Sequence, residues 1–233
     1  MNLFFADPKD VHPSFICLRG QEAVHAAKVL RYGTGDELFV TDGEGTQYRT
    51  VIREIEKNEI ILDQVGKITE EREVPNIQLF LGVIKKRDRL EFAVEKAVEL
   101  GVNEIVLFKG RHSVKENVRM DRIEATILSA MKQSLRVYLP GVSMFSSLRD
   151  AIEKKTADSE LILADETSRK TTICVSPSKR YALIVGPEGG ISTSERATLE
   201  ELNATVYSLG KKRLRAETAA ITIVDRFRNH MVE

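Results

Sequence analysis

Cysteine is scarce in this sequence, since only Cys17 and Cys174 occur among 233 residues. Two cysteines do not make the disulfide framework of a small secreted protein, so a reducing, cytoplasmic setting is the simpler expectation. Neither has an obvious histidine partner in the local sequence, and no Gly-x-Ser-x-Gly elbow occurs. The four histidines lack metal-ligand spacing, so no metal is expected. The cysteine and serine patterns thus argue against nucleophilic hydrolysis. Hydrolysis by paired carboxylates stays open as an alternative, but the sequence does not single out a pair.

Long apolar runs are also missing. The apolar stretches at residues 77–84 and 183–185 are far shorter than the roughly 20 residues of a membrane-spanning helix. The first residues lack the basic start and apolar centre of a secretion signal. No membrane association is therefore expected.

An excess of charge of either sign is absent as well. The formal net charge is zero, which argues against a generic nucleic-acid binder, because such proteins are usually basic. Residues 1–72 are acidic, with 9 Lys and Arg against 13 Asp and Glu. Any contact with phosphate must therefore come from local basic clusters.

The first part of the chain has the pattern of a small β domain. Residues 37–41, 47–52 and 59–63 are short strand-like runs, and Asp-Gly-Glu-Gly at 42–45 is a strong hairpin signal. A short helix is predicted over residues 21–30. Several strands around one helix predict a small barrel, and the charged residues 66–75 are interpreted as the linker that follows it.

After residue 75 strands alternate with helices, which predicts a parallel α/β sheet. Asp88 can cap a first helix, and Ser192 with Glu195 forms a capping box for a later one. The predicted strands are residues 77–84, 104–108, 160–164, 182–185 and 205–209. The predicted helices are residues 89–100, 121–135, 193–202 and 217–231.

Two loops near the C-terminus carry the strongest functional signal. Gly-Pro-Glu-Gly-Gly at 186–190 follows a buried strand, and Lys-Lys-Arg-Leu-Arg at 211–215 precedes a helix with Glu217 in its first turn. Such loops at the carboxyl ends of strands suit a small organic cofactor. The glycine spacing matches neither a dinucleotide fingerprint nor a phosphate-binding P-loop. By itself, each feature is also typical of an ordinary strand-to-helix turn and of a solvated surface.

The ordered set of motifs resembles the RsmE family, the 16S ribosomal RNA uracil-N3 methyltransferases of the SPOUT class. The similarity runs along nearly the whole chain. It is carried by residues 183–195 and 209–219, by 25–31, 35–36 and 42–45, by Lys86, Asp88, Arg89 and 95–102, and by 111–114, Gln133, Ser134, Arg136, Leu139 and Pro140.

The resemblance implies a PUA-like RNA-binding β-barrel at residues 1–70 and a SPOUT methyltransferase domain with a trefoil knot at residues 75–233. It also implies a homodimer, S-adenosylmethionine as cofactor, and 16S ribosomal RNA or the small ribosomal subunit as partner. The implied cofactor-binding residues are Leu163, Ala164, Val185, Gly186, Gly190, Ser208, Leu209, Gly210, Leu214 and Ala219. The implied RNA-binding residues are Arg31, Lys86, Arg89, Arg111, Arg136 and Lys212.

Four positions depart from the family pattern. Lys212 stands where arginine is usual, and Arg213 stands where a β-branched apolar residue is usual. Lys132 replaces an acid, and Leu135 replaces a small residue. The change at Lys212 loses the planar fork with which arginine binds phosphate. These departures bear on substrate placement and not on the reaction class.

The implied reaction assigns catalytic roles to Arg215 and Glu217. Removal of the N3 proton puts negative charge on the flanking carbonyl oxygens of uracil, which Arg215 would stabilise unless it binds a neighbouring phosphate. Glu217 would orient Arg215 or accept the proton, although an acid there also suits any helix N-terminus. Glu217→Gln is expected to lower methyl transfer without changing cofactor affinity. Ribose 2′-O methylation and a non-catalytic role as an RNA-binding assembly factor are the alternatives.

Overall fold

A computed structural model of the chain describes residues 2–111, 117–172 and 174–229. These residues form two compact units. The first contains the chain up to Arg72 together with Leu128–Leu139, and the second contains Glu73–Ile127 and the chain from Pro140 onward. Residues 112–114 of the family motif and residues 230–231 of the last predicted helix lie outside the described residues.

The first unit is built on a five-stranded sheet. Its order is β1-β3-β4-β5-β2, with β1 parallel to β3 and the other neighbours antiparallel. Helix α1, Gly20–Val24, continues into a π-helical turn at His25–Val29, and its Ala23 and Ala26 join a core that includes Ile16 and Leu38. The strands are β1 Leu3–Phe5, β2 Phe15–Arg19, β3 Glu37–Thr41, β4 Thr46–Ile55 and β5 Glu59–Thr69.

The hairpin predicted at residues 42–45 is confirmed, and it joins β3 to β4. Gly43 and Gly45 have φ of 74° and 109°, which glycine adopts without the steric cost of a Cβ. The Asp42 carboxylate accepts hydrogen bonds from the backbone N–H groups of Glu44 and Thr46 and from the Tyr48 hydroxyl. One side chain therefore fixes the turn from inside.

The linker predicted at residues 66–75 is wrong for residues 66–69, which belong to a strand. Strand β5 continues to Thr69, where it pairs with Thr46 at the start of β4. Val65 and Ile68 are 51% and 66% exposed, so the apolar pattern of a buried strand is missing there. Backbone pairing with β4, and not burial of side chains, extends the strand.

The segment Leu128–Leu139 adds to the hairpin of the first unit. Gly45 N donates to Val137 O at 3.0 Å, and Leu139 N donates to Gly43 O at 2.9 Å. Lys132, one of the departures from the family pattern, forms an ion pair with Glu22 of α1. No local pattern could show this long-range membership.

The second unit is a six-stranded parallel sheet in the order β11-β9-β10-β6-β7-β8. Its strands are β6 Asn76–Gly82, β7 Glu104–Phe108, β8 Gly141–Phe145, β9 Ser159–Ala164, β10 Arg180–Val185 and β11 Thr205–Tyr207. The helices that follow α1 in the chain are α2 Arg87–Glu99, α3 Met120–Gln133, α4 Leu148–Ile152, α5 Thr193–Glu201 and α6 Ala216–Asn229.

The predicted α/β class, with a parallel sheet, flanking helices and a small preceding β unit, is confirmed. Strand β8 was missed because it is an edge strand without a fully buried side chain, and helix α4 was missed because five residues are too few to show a helical period. Asp88 is not a cap, since the N-cap position of α2 is Lys86 and Asp88 lies in the first turn. The trefoil knot is a threading of the chain beyond strand order, and it stays a prediction.

Within the described ranges, no helix combines the length and the apolar character needed to cross a membrane.

Candidate functional site

A tight glycine turn leads from β10 into α5. Gly190 has φ of 75°, and its N–H donates to Pro187 O at 2.8 Å. The predicted capping box is present, because the Ser192 hydroxyl accepts from Glu195 N and the Glu195 carboxylate accepts from Ser192 N. The turn is therefore fixed by its own hydrogen bonds and by the start of the helix.

A second glycine, Gly82 at the end of β6, allows this turn to lie close to the sheet. A Cβ on Gly82 would stand 2.4 Å from both N and Cδ of Pro187 and 2.9 Å from the carbonyl carbon of Gly186. Real Cβ atoms essentially never approach other atoms so closely. The position therefore requires glycine for steric reasons, and sequence reasoning missed it.

The buried Glu195 also reaches the loop after β7. Its Oε1 accepts from Arg111 N at 3.0 Å, and its Oε2 accepts from the Ser192 hydroxyl at 2.6 Å. Arg111, a predicted RNA contact, is thereby tied through its backbone to the start of α5.

A cavity of about 730 Å³ opens at the carboxyl edge of the parallel sheet. Its walls follow β6, β9, β10 and β11, which are neighbours in the sheet. This volume lies within the range of roughly 300–1,000 Å³ that small-molecule sites occupy. The predicted cofactor residues that line it are Ala164, Val185, Gly186, Gly190, Leu209, Gly210, Leu214 and Ala219.

Two predicted cofactor residues do not line this cavity. Leu163 is 1% exposed and packs in the core of the second unit. Ser208 is 3% exposed, and its hydroxyl interacts with both O and N of Gly210. Both residues therefore support the structure next to residues that line the cavity.

An ion-pair cluster at the cavity wall was not anticipated by the sequence. Arg89 of α2 donates from Nε to Glu217 Oε1 at 2.7 Å and from Nη2 to Glu217 Oε2 at 2.5 Å. Its Nη1 also donates to Oε1 of Glu188 in the glycine turn at 3.3 Å. Arg89 thus joins α2, the glycine turn and the first turn of α6. The pairing of Glu217 with Arg89, instead of the expected Arg215, spans 128 residues of sequence.

The hydrogen bonds from Arg89 hold the pKa of Glu217 below its ordinary value, against the opposing effect of burial. The Glu217 side chain is only 9% exposed, so its pairing with Arg89 takes place largely out of water. A carboxylate that is kept ionised in this way is a weak proton acceptor.

Replacing Glu217 with glutamine is expected to lower the free energy of unfolding by about 1–2 kcal/mol at pH 7, because an amide retains one hydrogen bond but loses the charge. A folded-state pKa below the ordinary 4.5 stabilises the fold above pH 4.5, and this contribution is lost as the pH falls through the lowered value. The difference from wild type should therefore shrink in acid.

Denaturant titration at pH 7 and near pH 3 measures this effect, with Glu124→Gln as the control because Glu124 is an exposed acid of α3. An equal loss of stability at both pH values would contradict the ion pair.

The cations of the site have different surroundings. Lys86, Lys212 and Arg215 line the cavity and are exposed, and across the described ranges no carboxylate lies within ion-pair distance of them. Arg213 Nε lies 3.6 Å from Glu166 Oε2, and both side chains are exposed. The predicted RNA contacts Arg31, which is exposed, and Arg136, which is 8% exposed, belong to the first unit.

Two family models match this chain, and both describe domains of RNA methyltransferases. A family model described as an RNA methyltransferase domain matches residues 70–228. A second model, described as an RNA methyltransferase PUA domain, matches residues 18–65. The parallel sheet with its cavity and the preceding β unit are therefore those of an RNA methyltransferase.

Individual relatives identify the family within the RNA methyltransferases. The ribosomal RNA small subunit methyltransferase E of Mesomycoplasma hyopneumoniae is 31% identical over 168 residues, which cover 70% of this chain and 74% of that protein. The protein of the same name from Bacillus subtilis is 26% identical over 90% of this chain and 87% of its own length. The chain belongs to the ribosomal RNA small subunit methyltransferase E family.

A solved structure extends the likeness to three dimensions. The ribosomal RNA small subunit methyltransferase E of Neisseria gonorrhoeae, crystallised bound to S-adenosyl methionine, superposes with a TM-score of 0.87 at 26% identity. The superposition covers 99% of this chain and 98% of that one. Both units of the chain thus have counterparts in a single relative.

Proposed function

We propose that this protein transfers a methyl group from S-adenosylmethionine to N3 of a uridine in the 16S ribosomal RNA of the small subunit. Membership of the family supports the reaction class, and the choice of N3 rests on the family resemblance of the motifs. The observation that carries the proposal is the cavity between residues 185–191 and 209–216, at the carboxyl edge of the sheet.

The residues around this cavity fit S-adenosylmethionine. A Cβ on Gly190 or Gly210 would meet open space, so both glycines leave the backbone accessible from the cavity. Apolar side chains of Val185, Leu209 and Leu214 would pack against the purine. Acidic and basic side chains share the same walls, as suits a ligand with a carboxylate, an ammonium group and a sulfonium.

When bound, S-adenosylmethionine supplies an electrophilic methyl group on its sulfonium. The protein residues then have to hold the acceptor base in line with that group and exclude water. Arg215 is the proposed catalytic cation: it lines the cavity, and within the described ranges no carboxylate lies within ion-pair distance of it. Its charge acts on Glu217 only at longer range, where it adds to the hydrogen bonds from Arg89 in lowering the pKa of that carboxyl group. Its guanidinium would stabilise the negative charge that develops on the uracil carbonyl oxygens once the N3 proton has passed to solvent water.

Glu217 is better suited to positioning than to proton transfer. Both of its carboxylate oxygens accept from Arg89, and its pKa is lowered. We assign it the role of holding Arg89, which in turn contacts Glu188 in the glycine turn. The loss of methyl transfer expected for Glu217→Gln would then arise from a loosened cavity wall. In this role, unlike the one expected from the sequence, cofactor affinity should fall together with methyl transfer.

The RNA side of the proposal concerns both units. N3 lies on the Watson–Crick edge, so the target uridine must be unpaired or flipped out. Residues 1–70 would serve as the PUA-like RNA-binding domain with Arg31 and Arg136 as contacts, and residues 75–233 as the methyltransferase domain with Lys86, Arg89, Arg111 and Lys212 as contacts. A homodimer in the cytoplasm completes the proposed setting.

Mass spectrometric mapping of 16S ribosomal RNA from a deletion strain tests the function. The expected result is the loss of one N3-methyluridine, restored by wild-type protein and not by Arg215→Gln. Loss of a ribose methyl group instead would support the 2′-O alternative. Intact methylation together with a defect in subunit assembly would support a non-catalytic assembly factor.

A further inference from the structure

Arg226, in the last turns of α6, contacts the loop that follows β11. Its Nη2 donates to Leu209 O at 2.9 Å, and its Nη1 lies 3.3 Å from Ser208 O. The same Nη1 donates to the Tyr207 hydroxyl at 3.1 Å, and the guanidinium stands 5.7 Å from the centre of that ring. One side chain therefore holds two consecutive backbone carbonyls of a loop that lines the cavity.

The direction of these carbonyls fixes the direction of the N–H groups that follow them. In a trans peptide the C=O and the N–H of one peptide unit point to opposite sides. Because Ser208 O faces Arg226, the N–H of Leu209 faces away from Arg226. The same geometry directs the N–H of Gly210 away from the guanidinium, and that N–H lies 3.4 Å from Ser208 Oγ.

The three N–H groups of this loop differ in their partners. Ser208 N donates to Lys170 O at 2.7 Å, and Gly210 N donates to the Ser208 hydroxyl oxygen. Within the described ranges, Leu209 N has no hydrogen-bond acceptor, although Leu209 lines the cavity. A backbone donor without a protein partner at a cavity wall is available to a ligand.

We propose that Arg226 is a positioning residue for the purine end of the methyl donor. It holds the 208–209 and 209–210 peptide units so that Leu209 N–H is presented to a ring nitrogen of the purine. Arg226 itself does not line the cavity, so it acts through the loop. The inference rests on the proposed function, because that function supplies the adenosine group.

Arg226→Met tests the inference, since methionine keeps much of the length and removes every donor. The dissociation constants of S-adenosylhomocysteine and adenosine should both rise about tenfold in calorimetry, as two carbonyls lose their partner and the loop loses its fixed orientation. In steady-state methylation, KM for S-adenosylmethionine should rise by a similar factor, while kcat at saturating donor and KM for RNA stay unchanged. Arg226→Lys should recover most of the affinity.

Arg228→Met is the matched control. Arg228 lies two residues further along α6 and also donates to a backbone carbonyl, that of Gly101. Gly101 precedes β7, which β9, β10 and β6 separate from β11 in the sheet. A similar loss of thermal stability in both variants, with weaker adenosine binding only in Arg226→Met, is the expected pattern.

Unchanged adenosine affinity in Arg226→Met, or an equal loss in the Arg228 control, would overturn the inference and leave the proposed function intact. Failure of the wild-type protein to bind S-adenosylhomocysteine would instead overturn the proposed function, and the inference with it.

Discussion

Replacing Gly82 with alanine is expected to lower methyl transfer by at least about 100-fold, because a misplacement of roughly 1 Å at a reacting centre costs that much. The added Cβ would stand 2.4 Å from backbone N of Pro187, so the end of β6 and the glycine turn would have to move apart. The turn forms one wall of the cavity. Affinity for S-adenosylhomocysteine, measured by calorimetry, should fall with the activity.

Gly141→Ala is the control for this prediction. Gly141 begins β8 in the same sheet, and a Cβ there would meet Glu104 Cγ at 3.6 Å, which is an ordinary contact. Neither glycine has a positive φ, so the two variants differ in steric contact and not in backbone strain. Wild-type binding by Gly82→Ala would show that the glycine turn is not part of the donor site.

Replacing Arg215 with glutamine is expected to lower kcat by about 100- to 1,000-fold, the usual effect of removing one donor that stabilises a developing oxyanion. The affinity for S-adenosylhomocysteine should stay within about twofold of wild type, because the charge appears on the base and not on the donor. Rates with saturating RNA and donor measure the effect.

Lys211→Gln separates this role from general loss of positive charge. Lys211 belongs to the same basic cluster and is exposed, but it does not line the cavity. It should change KM for RNA slightly and leave kcat unchanged. An equal fall in kcat for both variants, or a rise in KM for RNA with kcat unchanged for Arg215→Gln, would remove Arg215 from the catalytic role.

Local patterns in the sequence were enough to predict the elements whose formation is itself local. Strands β3 and β7 begin and end at the predicted residues, because each is a short apolar run bounded by polar or turn residues. The capping box at Ser192 was predicted because its two partners are three residues apart. The glycine-rich turn was predicted as a cofactor loop, and it lines a cavity.

Features that depend on residues distant in sequence could not be predicted. The Arg89–Glu217 pair and the approach of Gly82 to Pro187 each join parts of the chain more than 100 residues apart. The place of Leu163 and Ser208 beside, and not in, the cavity depends on how their strands pack. One sequence carries no signal for such contacts, whereas periodicity and turn residues do report local structure.

The separation of Leu128–Leu139 from the rest of the first unit has a consequence for how the protein is made. The first 72 residues leave the ribosome long before the residues that pair with Gly43 and Gly45 have been synthesised. Until then those backbone groups must remain hydrated, and the nascent hairpin is incomplete. The amino-terminal unit therefore cannot reach its final form as an independent early product, and its maturation waits for more than half of the polypeptide.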